Sequence, residues 1–115
     1  MPHIILEIPN SFDTNIAKHI LNRSQSILLE RLPTKIETFK NRYYKYDYCL
    51  VANSQEKELI GLTIKVLSGR TEDLLKEIAL DIKEEVRKIL DSNKLEIEKY
   101  AYTVEILELS QAYVN

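Results

Sequence analysis

A proline in second position is the first residue of this chain that could do chemistry. Loss of Met1, which a following proline permits, would give Pro2 a secondary amine at the head of an apolar stretch. An α-amino group ordinarily titrates at about 7.7–8.0, and burial or nearby cations lower that value because both oppose the charged form. An amine neutral near pH 7 is a competent general base, and its conjugate acid is matched to return the proton. The plain alternative is that proline at this position only permits processing. A second candidate is Gly69-Arg70, just ahead of an acidic, helix-opening Thr71-Glu72-Asp73. Backbone N–H groups at a helix start attract anions, and an arginine adds a planar fork for a carboxylate. On position alone, a solvated arginine beside a helix cap explains Arg70 equally well.

Other chemistries lack their residues. There is no glycine-rich phosphate loop, no nucleophile elbow and no cysteine–histidine spacing of the kind zinc requires. His3 and His19 have no cysteine partner nearby, so no metal is expected. Cys49 is the one cysteine, which excludes an internal disulfide and suits a reducing cytoplasm. The net charge of −2 argues against a nucleic-acid partner, while leaving room for a local basic site. No apolar run reaches the ~18 residues of a membrane span. The first residues also lack the basic, apolar and small-residue pattern of a signal peptide.

The elements that must position these groups follow from periodicity. At 115 residues the chain forms one domain, residues 1–115, with a single core. Residues 3–8 read as a strand broken by Pro9-Asn10-Ser11. Ile16, Ile20, Ile27 and Leu28 keep helical spacing between Thr14 and Arg31, with Asp13 or Thr14 as N-cap and Leu32-Pro33 as the stop. Residues 36–51, crowded with tyrosines, read as one long strand, and Leu59 to Leu67 as another after a polar turn at 53–57. From Thr71, a second helix carries Leu74, Ile78, Ile82, Val86 and Ile89 down one face. Residues 99–109 form the last strand, with Tyr100, Tyr102, Val104 and Ile106 on one side.

The order is β-α-β twice. A weak repeat with an offset of 58 lays Ile4, Leu6 and Ile8 on Leu62, Ile64 and Val66, and Ile16 and Ile20 on Leu74 and Ile78. Right-handed crossovers then put both helices on one face of a four-stranded mixed sheet, an α+β two-layer fold. The other face, with His3, Ile5, Glu7, Gly61, Thr63 and Lys65, suits packing against further subunits better than open water.

Three stretches carry a family resemblance. Met1-Pro2-His3 followed by Ile4-Ile5-Leu6-Glu7 resembles the start of the 5-carboxymethyl-2-hydroxymuconate Δ-isomerases of the tautomerase superfamily. Leu62-Thr63-Ile64-Lys65-Val66-Leu67-Ser68-Gly69-Arg70-Thr71-Glu72 is similar to their TLKIGAGRSLE-like segment. Ala101-Tyr102-Thr103-Val104-Glu105-Ile106-Leu107-Glu108-Leu109 is similar to their last strand. The three occur in the family's order at matching intervals. The resemblance implies a cofactor-free isomerase, a homotrimer of tandem βαβ units that moves a proton on unsaturated keto acids through a dienol. It maps the catalytic proline onto Pro2 and a substrate-binding arginine onto Arg70.

One departure concerns substrate binding. Before the second strand the family commonly has Ile-Arg-Ser-Arg, and the nearest match here is Phe39-Lys40-Asn41-Arg42 after a shift of about one residue. Lys40 keeps the charge but loses the planar fork, so either Lys40 or Arg42 is the second cationic residue. The expected substrate is a small unsaturated 2-hydroxy or 2-oxo carboxylate. Two other readings stay open: a tautomerase of phenylpyruvate-like acids, and a non-catalytic oligomeric module that needs no free Pro2 amine.

Overall fold

A computed structural model describes residues 1–115. The elements run β1 (His3–Pro9), α1 (Thr14–Arg31), β2 (Lys40–Tyr46), β3 (Glu58–Val66), α2 (Glu72–Ser92) and β4 (Tyr100–Glu108). Single 3₁₀ turns, Ile36–Thr38 and Ile97–Lys99, lead into β2 and β4. The sheet order is β2-β1-β3-β4. β1 and β2 are parallel, β3 and β4 are parallel, and the two pairs meet antiparallel between β1 and β3. This is the mixed sheet expected from two βαβ units.

The repeat is visible in the caps. Asp13 caps α1 by accepting from the N–H groups of Asn15 and Ile16, and Thr71, 58 residues on, caps α2 by accepting from Leu74 N–H. Ile4, Leu6 and Ile8 of β1 and Ile60, Leu62, Ile64 and Val66 of β3 point to the helices and are fully buried or nearly so. Against them α1 sets Ala17, Ile20, Ile27 and Leu28, and α2 sets Leu75, Ile78, Ile82, Val86, Ile89 and Leu90. At about 25 cal/mol per Å² of apolar surface, this one core is the main stabilising force. Leu74, expected on the buried face, only half-packs, and Leu75 takes its place.

One boundary differs from expectation. The tyrosine-rich segment is not one strand over 36–51: β2 holds only Lys40–Tyr46, and the chain then turns through a bridge between Val51 and Ser54. Tyr46 explains part of the stop. The β1–β3 register continues to place Pro9 opposite Leu59, where proline has no N–H to donate. The Tyr46 hydroxyl fills that position, donating to the Leu59 carbonyl and accepting from its N–H, both at 2.7 Å. Burial pushes this phenol up to about 12.

The chain end, for which the sequence pattern carries no expectation, is also placed. After β4 the last residues do not trail away. Leu109 N–H donates to Val66 O at 2.7 Å, and Tyr113 and Asn115 then reach His3 on β1 and Lys40 on β2. The tail thus crosses the sheet from β4 toward β2 on the face that the helices leave open.

Candidate active site

Topology decides what can meet. Because β2 runs parallel to β1 and β3 antiparallel to it, the starts of β1 and β2 and the end of β3 lie at one edge of the sheet. Residues 1–3, 40–42 and 65–70 therefore share a neighbourhood although they are far apart in sequence. His3 stands between Lys40 on β2 and Lys65 on β3.

Pro2 is buried on the helix side of the sheet, and its carbonyl accepts from Lys40 N–H at 3.0 Å, extending the β1–β2 ladder by one step. Ahead of it, the terminal amine of Met1 is held below its ordinary value of 8.0. Burial is the main cause, followed by the charges of Lys40 and Arg70. Both residues singled out from sequence thus act on the terminus electrostatically, Lys40 from the start of β2 and Arg70 from the β3–α2 connection.

Arg70 sits in a connection fixed from two sides. Gly69 adopts φ 109°, a conformation that favours glycine, and its N–H donates to the Glu108 carboxylate at 2.8 Å. The Arg70 guanidinium folds back over the connection, one terminal nitrogen donating to the carbonyls of Leu67 at 3.1 Å and Ser68 at 3.3 Å. The α2 start is already provided for. Thr71 takes the Leu74 N–H, and Glu72 and Asp73 supply negative charge to the first turn. That leaves Arg70, rather than the helix end, as the group here whose donors could meet an anion.

Lys40 and Arg42 lie on the same side of β2, and each has a distinct partner. The Lys40 ammonium donates to Asn115 Oδ1 at 2.9 Å. The Arg42 guanidinium donates to His3 Nδ1 at 3.1 Å and to the Lys40 carbonyl at 3.3 Å. His3 meets Tyr113 on its other side, Nε2 to hydroxyl at 3.0 Å, with the rings edge to face at 5.5 Å. Burial first, then the charges of Arg42, Lys40 and Lys65, hold His3 below its ordinary 6.5, so the ring is neutral at neutral pH.

The electrostatic balance is one-sided. The six salt bridges of the molecule join other residues, three of them across the α1–α2 surface, and none includes Lys40, Arg42, Lys65 or Arg70. Four cations without carboxylate partners gather at one sheet end of a chain whose net charge is −2. No three His, Cys, Asp or Glu side chains converge on a point that could hold a metal. Of these cations Lys65 lines an open pocket of about 370 Å³, together with Leu107, Glu108, Leu109 and Tyr113. The sequence pattern places His3 and Lys65 on the open sheet face without marking either as a site residue, and carries no signal for the tail. Only the strand register and the path of residues 109–115 bring these groups in.

No protein-family model matches the chain, and no curated protein matches its sequence. Solved structures do match. A 5-carboxymethyl-2-hydroxymuconate isomerase from Deinococcus radiodurans R1 superposes with a TM-score of 0.79 at 21% identity, over 98% of this chain and 86% of that one. A 5-carboxymethyl-2-hydroxymuconate delta-isomerase gives 0.73 at 14% identity, over 100% and 87%. A fused 4-OT wild-type symmetric trimer gives 0.75 at 10% identity, over 94% and 87%. The fold is that of the tautomerase superfamily.

Proposed function

We propose that this chain is a cofactor-independent isomerase of the tautomerase superfamily. Its substrate is an unsaturated 2-hydroxy or 2-oxo carboxylate, such as 5-carboxymethyl-2-hydroxymuconate, and its acid–base group is the amine of Pro2 freed by removal of Met1. One observation carries the reading. Lys40 and Arg70, neither with a carboxylate partner, act on a chain terminus whose amine, that of Met1 here, is held below its ordinary value, and Arg42 and Lys65 stand unpaired on the adjoining strands. Lys40 and Arg70 serve two purposes. They oppose protonation of the amine, so more of it is neutral and able to accept a proton. They also attract a carboxylate and stabilise negative charge that develops on the neighbouring oxygen.

The reaction balances without a further reagent. The neutral Pro2 nitrogen takes a proton from the hydroxyl or the acidic carbon of the substrate, and the electron pair left behind spreads through the conjugated enolate. The protonated amine then returns that proton to a different carbon, and the double bond moves. Arg70 holds the carboxylate end, with Lys40 or Arg42 as the second contact. The symmetric trimer among the similar structures supports a homotrimer, in which neighbouring subunits cover the open sheet face.

The test compares the chain beginning at Pro2, verified by mass spectrometry, with a chain that keeps Met1 and with Pro2→Ala. The substrate panel contains hydroxymuconates and aryl pyruvates. The first form should isomerise at least one hydroxymuconate, and both variants should lose about 10²-fold or more, the scale of general acid–base catalysis. Equal turnover in all three forms would remove Pro2 from the mechanism. Activity confined to the aryl pyruvates would move the substrate to the phenylpyruvate class.

A further inference from the structure

The tail contact contains more chemistry than a tether requires. A guanidinium has only donors, so where Arg42 meets His3 Nδ1, that nitrogen must be the acceptor. The neutral imidazole then carries its one proton on Nε2, and Nε2 faces the Tyr113 hydroxyl at 3.0 Å. Nε2–H therefore donates and the phenol oxygen accepts. The opposite arrangement would aim an imidazole N–H at the Arg42 guanidinium. It is disfavoured further by the lysines on both flanking strands, Lys40 and Lys65, which can accept nothing.

This direction of donation leaves the phenol proton of Tyr113 unused. The His3 contact is the only hydrogen bond its hydroxyl makes in the protein. We infer that Tyr113 donates this free O–H to the carbonyl oxygen of the substrate, and that Arg42 and His3 are positioning residues that turn the proton outward. The inference rests on the isomerase reading and adds a catalytic residue to it. Each link strengthens the next, since a donor whose own oxygen accepts a hydrogen bond is polarised toward donation. At the end of the chain, charge from the Arg42 cation is conveyed to an oxygen that becomes an enolate. Tyr113 and Lys65 line one open pocket of the single chain, which gives a ligand a route to this end of the sheet.

Tyr113→Phe keeps the ring against His3 and removes only the hydroxyl. In the chain beginning at Pro2, kcat should fall by about 10²-fold, the usual loss for one oxyanion donor, while KM changes by less than about threefold. Oxalate, a planar dianion resembling an enolate, should bind the Phe variant about tenfold more weakly by calorimetry, as expected for one lost charge-assisted bond. Placing 3,5-difluorotyrosine at position 113, a more acidic phenol of nearly the same shape, should tighten oxalate binding. Long-range proton–nitrogen NMR should show the His3 proton on Nε2.

A mere tether would respond to none of the acidity change. Unchanged kcat in Tyr113→Phe, with the parent protein active, would overturn the role of Tyr113 and leave the isomerase reading standing. Absence of turnover by the parent on the whole panel would overturn the isomerase reading instead. Equal oxalate affinity of parent and Phe variant would then overturn Tyr113 as a donor as well. A His3 proton found on Nδ1 would break the chain at its first link.

Discussion

Arg70 makes both of its protein hydrogen bonds through one terminal nitrogen, so the rest of its donor fork has no partner in the chain. A guanidinium placed in this way can accept a carboxylate without giving up what anchors it. Arg70→Ala should lower kcat/KM by about 10²-fold, or roughly 2.7 kcal/mol of transition-state stabilisation. The melting temperature should move little, because Arg70 is half-buried, outside the core, and bonds only to its own connection, and surface substitutions of this kind usually cost within about 0.5 kcal/mol. Arg70→Lys should recover only part of the loss, since lysine restores the charge without the fork. A large fall in melting temperature with full activity would instead make Arg70 a staple of its own connection. Pro2 and Arg70 stand out in the sequence as candidates because each is an unusual residue type at a marked boundary. His3 and Tyr113 do not. A histidine in a strand and a tyrosine in a short tail are ordinary until the fold sets them 3.0 Å apart.

At the scale of elements, the two βαβ halves were readable because their buried faces repeat with an offset of 58, and the caps obey the same offset. The tyrosine-rich segment misled because high strand propensity runs past the point where pairing stops. Propensity cannot report that the partner strand ends in Pro9. The residues after β4 carry no periodicity, so their path over the sheet had no local signal. The caps offer a test of how the halves divide their work. Asp13→Ala removes two hydrogen bonds from the start of α1 and should cost about 1 kcal/mol or more. Thr71→Ala removes one, at 3.2 Å, and should cost less in a denaturant titration. Activity should show the reverse order. Thr71 adjoins Arg70 at the site, whereas Asp13 follows the opposite end of β1. If Asp13→Ala reduced turnover as strongly, the proposed placement of the site would be wrong.

Seen as a whole molecule, the pseudo-repeat gives the sheet two comparable ends, and only one is charged for anion chemistry. The position matching Arg70 in the first half is Phe12, which is buried in the core. The pocket at that far end, about 330 Å³, is lined by Tyr46, Asp47 and Glu58 among others, with Lys57 as its only cation. The open sheet face is common to both ends. It displays Tyr44 at 57% exposure and Leu107 at 39%, along with Ile5 and Thr63. Light scattering should accordingly give three times the 13.5 kDa of one chain. A value equal to one chain would remove the subunits proposed to cover that face.

The cation cluster also sets how stability should depend on pH. His3 has a folded value below its ordinary 6.5, so near that pH the unfolded chain binds more protons than the folded one. Stability must then rise with pH through the window that starts below the folded value and ends near 6.5. It is lost again as pH falls, because protonating the ring sets a fourth cation beside Arg42, Lys40 and Lys65 and costs Nδ1 its lone pair. Melting temperatures taken between about pH 5.5 and 7 should therefore increase with pH in the parent and flatten in His3→Gln. The glutamine amide can still face Arg42 and Tyr113 but does not titrate. Parallel curves for the two proteins would place the charge of His3 outside the field of the cations, and the neutral, proton-directing imidazole would lose its basis.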